Sequence, residues 1–293
     1  MARLVGYALT DWAVIGLGWV AMAHSPYWLY PLWALLVAGR FHAFGVILHD
    51  LAHMPLRKKT VAVRVVEVLS GYPIASTLNA MRYHHLRHHR DSGMPADPYF
   101  KPSVRGRPGM FLLVWLRHLL LVPVWTIRAP YGLLAVAFPK MRTSYARIFL
   151  QDRSGKDLTN DPEVATCARE ELGQAIFQVA LFTFAALRPQ TAIYFYFVPV
   201  TVTGLFAGYR VLREHDYVPT MDRTIGTILD TTVDHNLGPI GRIFFAPRNI
   251  GYHIVHHLHP QVALENLPRL RAWYVANHGR RYPAPYGHAR GAA

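Results

Sequence analysis

Apolar residues in this chain come in long blocks rather than in the alternating or three-to-four-residue rhythm of a soluble fold. The first block spans about residues 4–23 and contains Asp11 and Trp12. The second spans 27–48 and is broken only by Arg40 and His42. Two more lie at 172–187 and 191–209. A helix needs about 17–25 residues to cross a bilayer, so the blocks predict four membrane-spanning helices, with 172–187 at the short end. Pro26 marks a turn between the first two, and Arg188 with Pro189 a tight link between the last two, which predicts two hairpins. The first block is longer than a signal-peptide core and is interrupted by Asp11, so it reads as a retained helix. Met110–Trp125 is also apolar but holds Arg117, His118 and Pro123, and predicts a helix lying in the membrane interface.

Composition agrees with a membrane protein. Of 293 residues 52% are hydrophobic and 16% charged, against roughly 25% charged in soluble domains. The formal net charge of +14 would suit nucleic acid, but bilayer-length apolar blocks exclude that reading. Every Lys and Arg except Arg40 and Arg188 falls in the N-terminus, in the region between the hairpins, or after Tyr209. Positive charge collects on the cytoplasmic side, so 49–171 and 210–280 are expected to form a basic cytosolic cap, with both termini on that side. In a bacterium the membrane would be the plasma or inner membrane. The single cysteine, Cys167, excludes an internal disulfide, a four-cysteine zinc site and a protein-held iron–sulfur cluster. No repeat or low-complexity tract divides the chain, so 1–293 reads as one domain with a frayed tail at 281–293.

Histidine carries the chemistry: there are 17. HDLAH places His49 and His53 on one helix face as the second span ends. YHHLRHH contains His85, His88 and His89 in an H-x-x-H-H spacing, and GYHIVHHLHP repeats it with His253, His256 and His257. One such cluster could be a solvated basic face; its recurrence far along the chain, beside a pair at a span exit, points to metal ligands. Adjacent histidines on a helix diverge by about 100°, so each cluster can serve two ions side by side. Eight imidazoles are too many for one catalytic zinc with three protein ligands, and suit two ions of four or five ligands each. Imidazole alone does not name the metal. No H-E-x-x-H motif supports a metalloprotease.

HDLAH, HLRHH and HIVHH, in this order, resemble the three histidine boxes of the membrane fatty-acid desaturase family. The resemblance extends to ADP at 96–98, to the residues flanking the third box and to NLPRL at 266–270, and covers roughly residues 40–275. It implies an all-α membrane protein: four transmembrane helices in two hairpins under a cytosolic helical cap with a non-haem di-iron centre. It also implies a ninth ligand between the fourth span and the third box, for which His215 is the choice and His235 the competitor. An Asn that holds a water on one iron in some members is replaced here by Val211, with Glu214 or Asp216 as substitutes. His84 creates an ambiguity, since His84, His88 and His89 satisfy the H-x-x-x-H-H spacing of the related membrane hydroxylases. The ligand set is therefore His49, His53, His85, His88, His89, His215, His253, His256 and His257, with no catalytic residue beyond it.

The family's activity would be O2-dependent desaturation of an acyl chain or similar aliphatic group carried on lipid, CoA or acyl carrier protein. Lipid or carotenoid hydroxylation is the alternative. A membrane metal transporter or sensor would place ionisable residues along a mid-membrane path, whereas these clusters sit at span exits. No haem, flavin or nicotinamide fingerprint appears, so electrons are expected from a separate ferredoxin or cytochrome b5-like protein drawn to the basic cap.

Overall fold

The first apolar block folds as α1 (Ala2–His24), and the chain reverses at Ser25 and Pro26 into α2 (Tyr27–Ala52). The computed structural model describes residues 1–56, 58–279 and 281–282, and among these there is no strand, only an isolated bridge between His215 and Thr232. α3 (Val61–Ile74) starts at Thr60, whose side chain accepts from the Val63 amide, and passes through a π-helical turn at Glu67–Gly71. Ala75 then adopts a left-handed φ of 54°, and α4 (Leu78–Asp91) leaves at 81° to α3 with Thr77 as its cap. Buried Glu67 holds this elbow: it accepts from the Leu78 amide at 2.7 Å and pairs with Lys59 at 2.8 Å.

A long bent helix, α5 (Pro108–Ala137), is followed by α6 (Arg142–Phe149). Asp161 caps α7 (Pro162–Leu187), with Pro162 at its first position, where no amide is needed. α8 (Pro189–Arg213) returns at once. Short helices α9 (Ile225–Thr231), α10 (Pro239–Phe244) and α11 (His253–Leu258) precede α12 (Leu267–His278).

Among the described residues four helices are long and apolar enough to cross a bilayer, α1, α2, α5 and α8, and the sharply bent pair of α3 and α4 passes the same test only if taken together. The number matches the expectation from sequence, but the third member does not. Residues 172–187 are the far end of α7, whose first turns bear Glu163, Arg169, Glu170 and Glu171, so the whole helix is less apolar than its tail. Met110–Trp125, expected to be a short interfacial helix, continues to Ala137 because Pro123 falls in the first turn after the break at 118–120 and ends nothing.

Several contacts fix the relative positions of these helices. At the turn end of α1 and α2, Trp19 Nε1 donates to the Phe195 carbonyl at 2.7 Å and the Tyr30 hydroxyl to that of Tyr194 at 2.9 Å. The α7–α8 link therefore lies beside the α1–α2 turn. At the opposite end α7 begins against α4, with Arg87 paired to Glu163 at 2.8 Å and Tyr83 donating to Asp152 at 2.8 Å. Both ends of α5 also pack at this second end: Met110 and Phe111 against Leu212 and Tyr217, and Ala135 in a cluster with Ala80, Tyr83 and Val164. α5 approaches α8 closely where Gly204 and Gly208 leave room for His118; a Cβ on Gly204 would lie 1.9 Å from the His118 carbonyl oxygen. This small-residue spacing is a common device for close helix contact in membranes.

Several charges inside the apolar blocks are paired. Asp11 is 1% exposed and lies 3.3 Å from Arg40 and 2.5 Å from Arg248. Arg128 and Glu171 are both fully buried at 2.7 Å, and the Tyr145 hydroxyl donates to the same carboxylate at 2.9 Å. Large apolar side chains such as Leu17, Ile176, Val179 and Leu187 face outwards. In the tail expected to fray, 281–293, Arg281 is exposed but Tyr282 is buried and donates to Asp234 at 2.8 Å, while 283–293 lie outside the described residues. Removing one member of a buried ion pair leaves a lone charge, at a cost of about 3–5 kcal/mol. Arg128→Met should therefore lower the thermal unfolding midpoint markedly in detergent, and Arg128→Met with Glu171→Leu should recover most of the loss. An unchanged midpoint for the single variant would contradict this pairing.

Candidate metal centre

α2 presents His49 and His53 one turn apart at its end, where Arg82 donates to the carbonyls of Ala52 and Met54 at 3.0 and 2.9 Å and fixes the helix terminus. α4 carries His85, His88 and His89, and α11 carries His253, His256 and His257. His215 lies just past the end of α8, tied to Thr232 by the bridge. The structure brings all nine together in two groups. His49, His53, His85, His89 and His256 form one; His88, His215, His253 and His257 form the other. Within each, candidate ligand atoms lie within 4.8 Å of one another.

Helical periodicity explains the division. In α4 the i, i+4 pair His85 and His89 joins the first group while His88, turned aside, joins the second. In α11 the assignment is reversed: His253 and His257 join the second group and His256 the first. The boxes on α4 and α11 thus serve both groups, which lie side by side, with the rings of His89 and His257 stacked at 4.2 Å.

Nitrogen faces nitrogen across these groups. His53 and His85 Nε2 are 2.8 Å apart, His88 and His215 3.0 Å, His89 and His256 3.1 Å, and His215 and His253 3.2 Å. Two adjacent ligands each about 2.1 Å from one ion would be roughly 3 Å apart, so the spacing fits metal binding. Both ring nitrogens of His49 are buried without a protein partner, as is Nε2 of His257. Burial, and then the charge of neighbouring imidazoles, holds His85, His89, His253 and His257 well below the usual imidazole range. For His215 burial followed by His88 lowers it to about 3, and for His53 burial followed by Arg82 lowers it to about 4. These rings are neutral at physiological pH, the form that binds metal.

Carboxylates around the groups orient the rings. Asp97 Oδ1 lies 2.8 Å from His88 Nδ1. Burial pushes Asp97 up, but His88 and the amides of Gly93 and Tyr99 outweigh it and hold the carboxyl at about 2. Gly93, at φ +80°, makes the turn that returns Asp97 to α4, and a Cβ there would meet Thr220 at 2.7 Å. Glu214 Oε1 is 3.5 Å from both His253 Nδ1 and His235 Nε2. Burial raises Glu214, and Arg210 and then His235 bring it down to about 2. Asp234 accepts from the Ile254 amide at 2.9 Å and from Arg271 at 3.0 Å, which secures the start of α11. Carboxylates bonded to metal-ligand imidazoles fix their tautomer and orientation.

His235 thus contacts Glu214 and lies outside both groups. His84 also lies outside them, its Nδ1 2.6 Å from the Tyr99 hydroxyl. Asp97 and Asp234 had no role from sequence. Asp97 sits in the ADP motif already noted and Asp234 directly precedes His235, so an acidic residue near a candidate histidine is the available signal. A mostly apolar cavity of about 410 Å³ adjoins the centre, lined by His49 and His85 of the first group, by Phe41, Ile74 and Val122, and by Val211.

Membrane-length apolar helices and two histidine groups that could each hold a metal ion fit the class of membrane metalloproteins. The profile of the family described as fatty acid desaturase matches residues 25–290, and the chain belongs to that family. It is also similar to the dihydrorhizobitoxine desaturase of Bradyrhizobium elkanii, with 36% identity over 98 residues, 32% of this chain and 28% of that protein. The matched part thus spans little more than a quarter of that relative's length.

Replacing a ligand removes a metal bond, whereas losing a group behind a ligand typically costs about 10–100-fold in affinity or activity. His85→Ala should lose most of its metal-binding capacity, Asp97→Asn should bind metal about 10–100-fold more weakly, and His84→Ala should bind metal like the native protein. Elemental analysis of purified variants checks all three, and a metal-free His84→Ala beside a loaded His85→Ala would reverse the assignment.

Proposed function

We propose that this protein is an O2-dependent membrane desaturase that introduces a double bond into an acyl chain or similar aliphatic lipid group at a di-iron centre held by the nine histidines. One observation carries the reading: neutral imidazoles of the first group form part of the wall of a mostly apolar cavity. Bound iron with O2 would supply an oxidant for an unactivated C–H bond. The chain's own part is to position and to exclude. α2, α5 and α8 supply much of the cavity wall, Ile74 and Val122 would contact an aliphatic group by dispersion, and His49 and His85 join the cavity to the first histidine group. Asp97 keeps the His88 ring oriented.

Desaturation is preferred to hydroxylation because His85 lies within a ligand group, as the H-x-x-H-H spacing requires, while His84 lies against Tyr99. Electrons would come from a separate ferredoxin or cytochrome b5-like donor, attracted to the cytoplasmic face by its net positive charge. The acyl carrier would be lipid, CoA or acyl carrier protein. In the membrane, α1 with α2 and α7 with α8 would form the two hairpins, and α5, both ends of which pack near the histidines, would dip in from the cytoplasmic side without crossing.

Mass spectrometry of lipids from cells expressing the chain should find products two hydrogens lighter than their precursors, and purified protein should contain about two iron atoms per chain. Products heavier by one oxygen would make it a hydroxylase, and one zinc without iron would end the redox reading. Reporter fusions at Ser25 and Arg188 should report the side opposite to fusions at Ser154 and the C-terminus. Ser154 on the outer side would mean that α5, not α7, is the third span.

A further inference from the structure

The cavity beside the first histidine group is not lined as a plain hydrocarbon tunnel would be. Two of its lining residues, His42 and His84, are 3% and 2% exposed. In both, one ring nitrogen is tied and Nε2 is buried without a partner. His42 Nδ1 lies 2.8 Å from the Phe244 carbonyl oxygen. A carbonyl only accepts, so Nδ1 carries the proton and donates to it. No carboxylate bonds this ring among the described residues, so Nε2 is a bare lone pair that needs a donor. The Thr203 hydroxyl, in the same wall, already donates to the Ala38 carbonyl at 2.9 Å and cannot supply one.

We propose that the substrate of this cavity is a hydroxyl- or amino-bearing aliphatic compound whose donor pairs with Nε2 of His42; this rests on the cavity being the substrate site of the centre proposed above. A saturated hydrocarbon chain would bury Nε2 unpaired, whereas an alcohol or amine satisfies it, a difference of about tenfold or more in affinity. His42 precedes His49 on α2 by two helical turns, on the same face and about 10 Å along the axis. The donor group therefore lies about 10 Å from the first histidine group, at the membrane end of the cavity. His84 Nε2 provides a second polar contact close to His85.

The test is equilibrium binding to the full-length protein in lipid nanodiscs, corrected for partition into empty nanodiscs, with dodecan-1-ol, dodecylamine and tridecane as probes. The alcohol and amine are expected to bind about tenfold or more tightly than the alkane. His42→Phe removes the preference and His42→Gln, which keeps an acceptor, retains most of it. Equal binding of the three probes to the native protein overturns the proposal, as does a preference that survives in His42→Phe, since water alone would then satisfy the ring. Should His42→Phe fail to fold, the imidazole nitrogen NMR signal of native His42 decides: it shifts with dodecan-1-ol and not with tridecane, and no shift with either overturns the proposal. Binding is read without turnover, so these outcomes are independent of the product-mass test of desaturation.

Discussion

Nine imidazoles, six of them buried and three half-buried, turn their nitrogens toward one another at contact distance. That is the constraint around which the structure is arranged. A buried imidazole with no partner is costly, and an array with lone pairs aimed inwards needs a shared cation or protons between the rings. The surrounding polar network is built to keep this array in place. Arg82 closes α2, Glu67 and Lys59 brace the elbow before α4, and Asp234 secures α11. Each acts on the end of a helix carrying one box.

Helix geometry supplies the division into two sites without any further device. An i, i+4 pair projects from one side and the intervening neighbour from another. Crossing α4 and α11, both with H-x-x-H-H, lets each donate a pair to one site and a single ring to the other. α2 adds a pair to the first site and the His215 segment adds a single ring to the second. The second group is therefore one imidazole smaller, and Val211 lines the cavity and adds no ligand.

The same chain manages polar groups in apolar surroundings by pairing them. Asp11 with Arg40 and Arg248, and Arg128 with Glu171, join helices far apart in sequence. They explain why charges persist inside blocks otherwise fit for a bilayer: each is needed by a partner on another helix. His42 and His84 differ, since each keeps one nitrogen unpaired next to the cavity.

Sequence by itself determined the helical class, the number of membrane-length helices and the histidines that come together, because hydropathy and helical spacing are local properties. The H-x-x-H-H spacing included His85, with His84 left as an ambiguity, and the resemblance to the histidine-box family implied a ninth ligand for which His215 was the choice. Tertiary structure decided what locality cannot encode. It assigned each histidine to a group, since that depends on how α2, α4 and α11 cross. It matched Asp97 to His88 through a glycine turn, and Asp234 to a helix that starts nineteen residues later in the chain. It also extended the stretch after Met110 into α5 and returned both of its ends to the histidine side, because packing against α7 and α8, not hydropathy, fixes where an apolar helix lies.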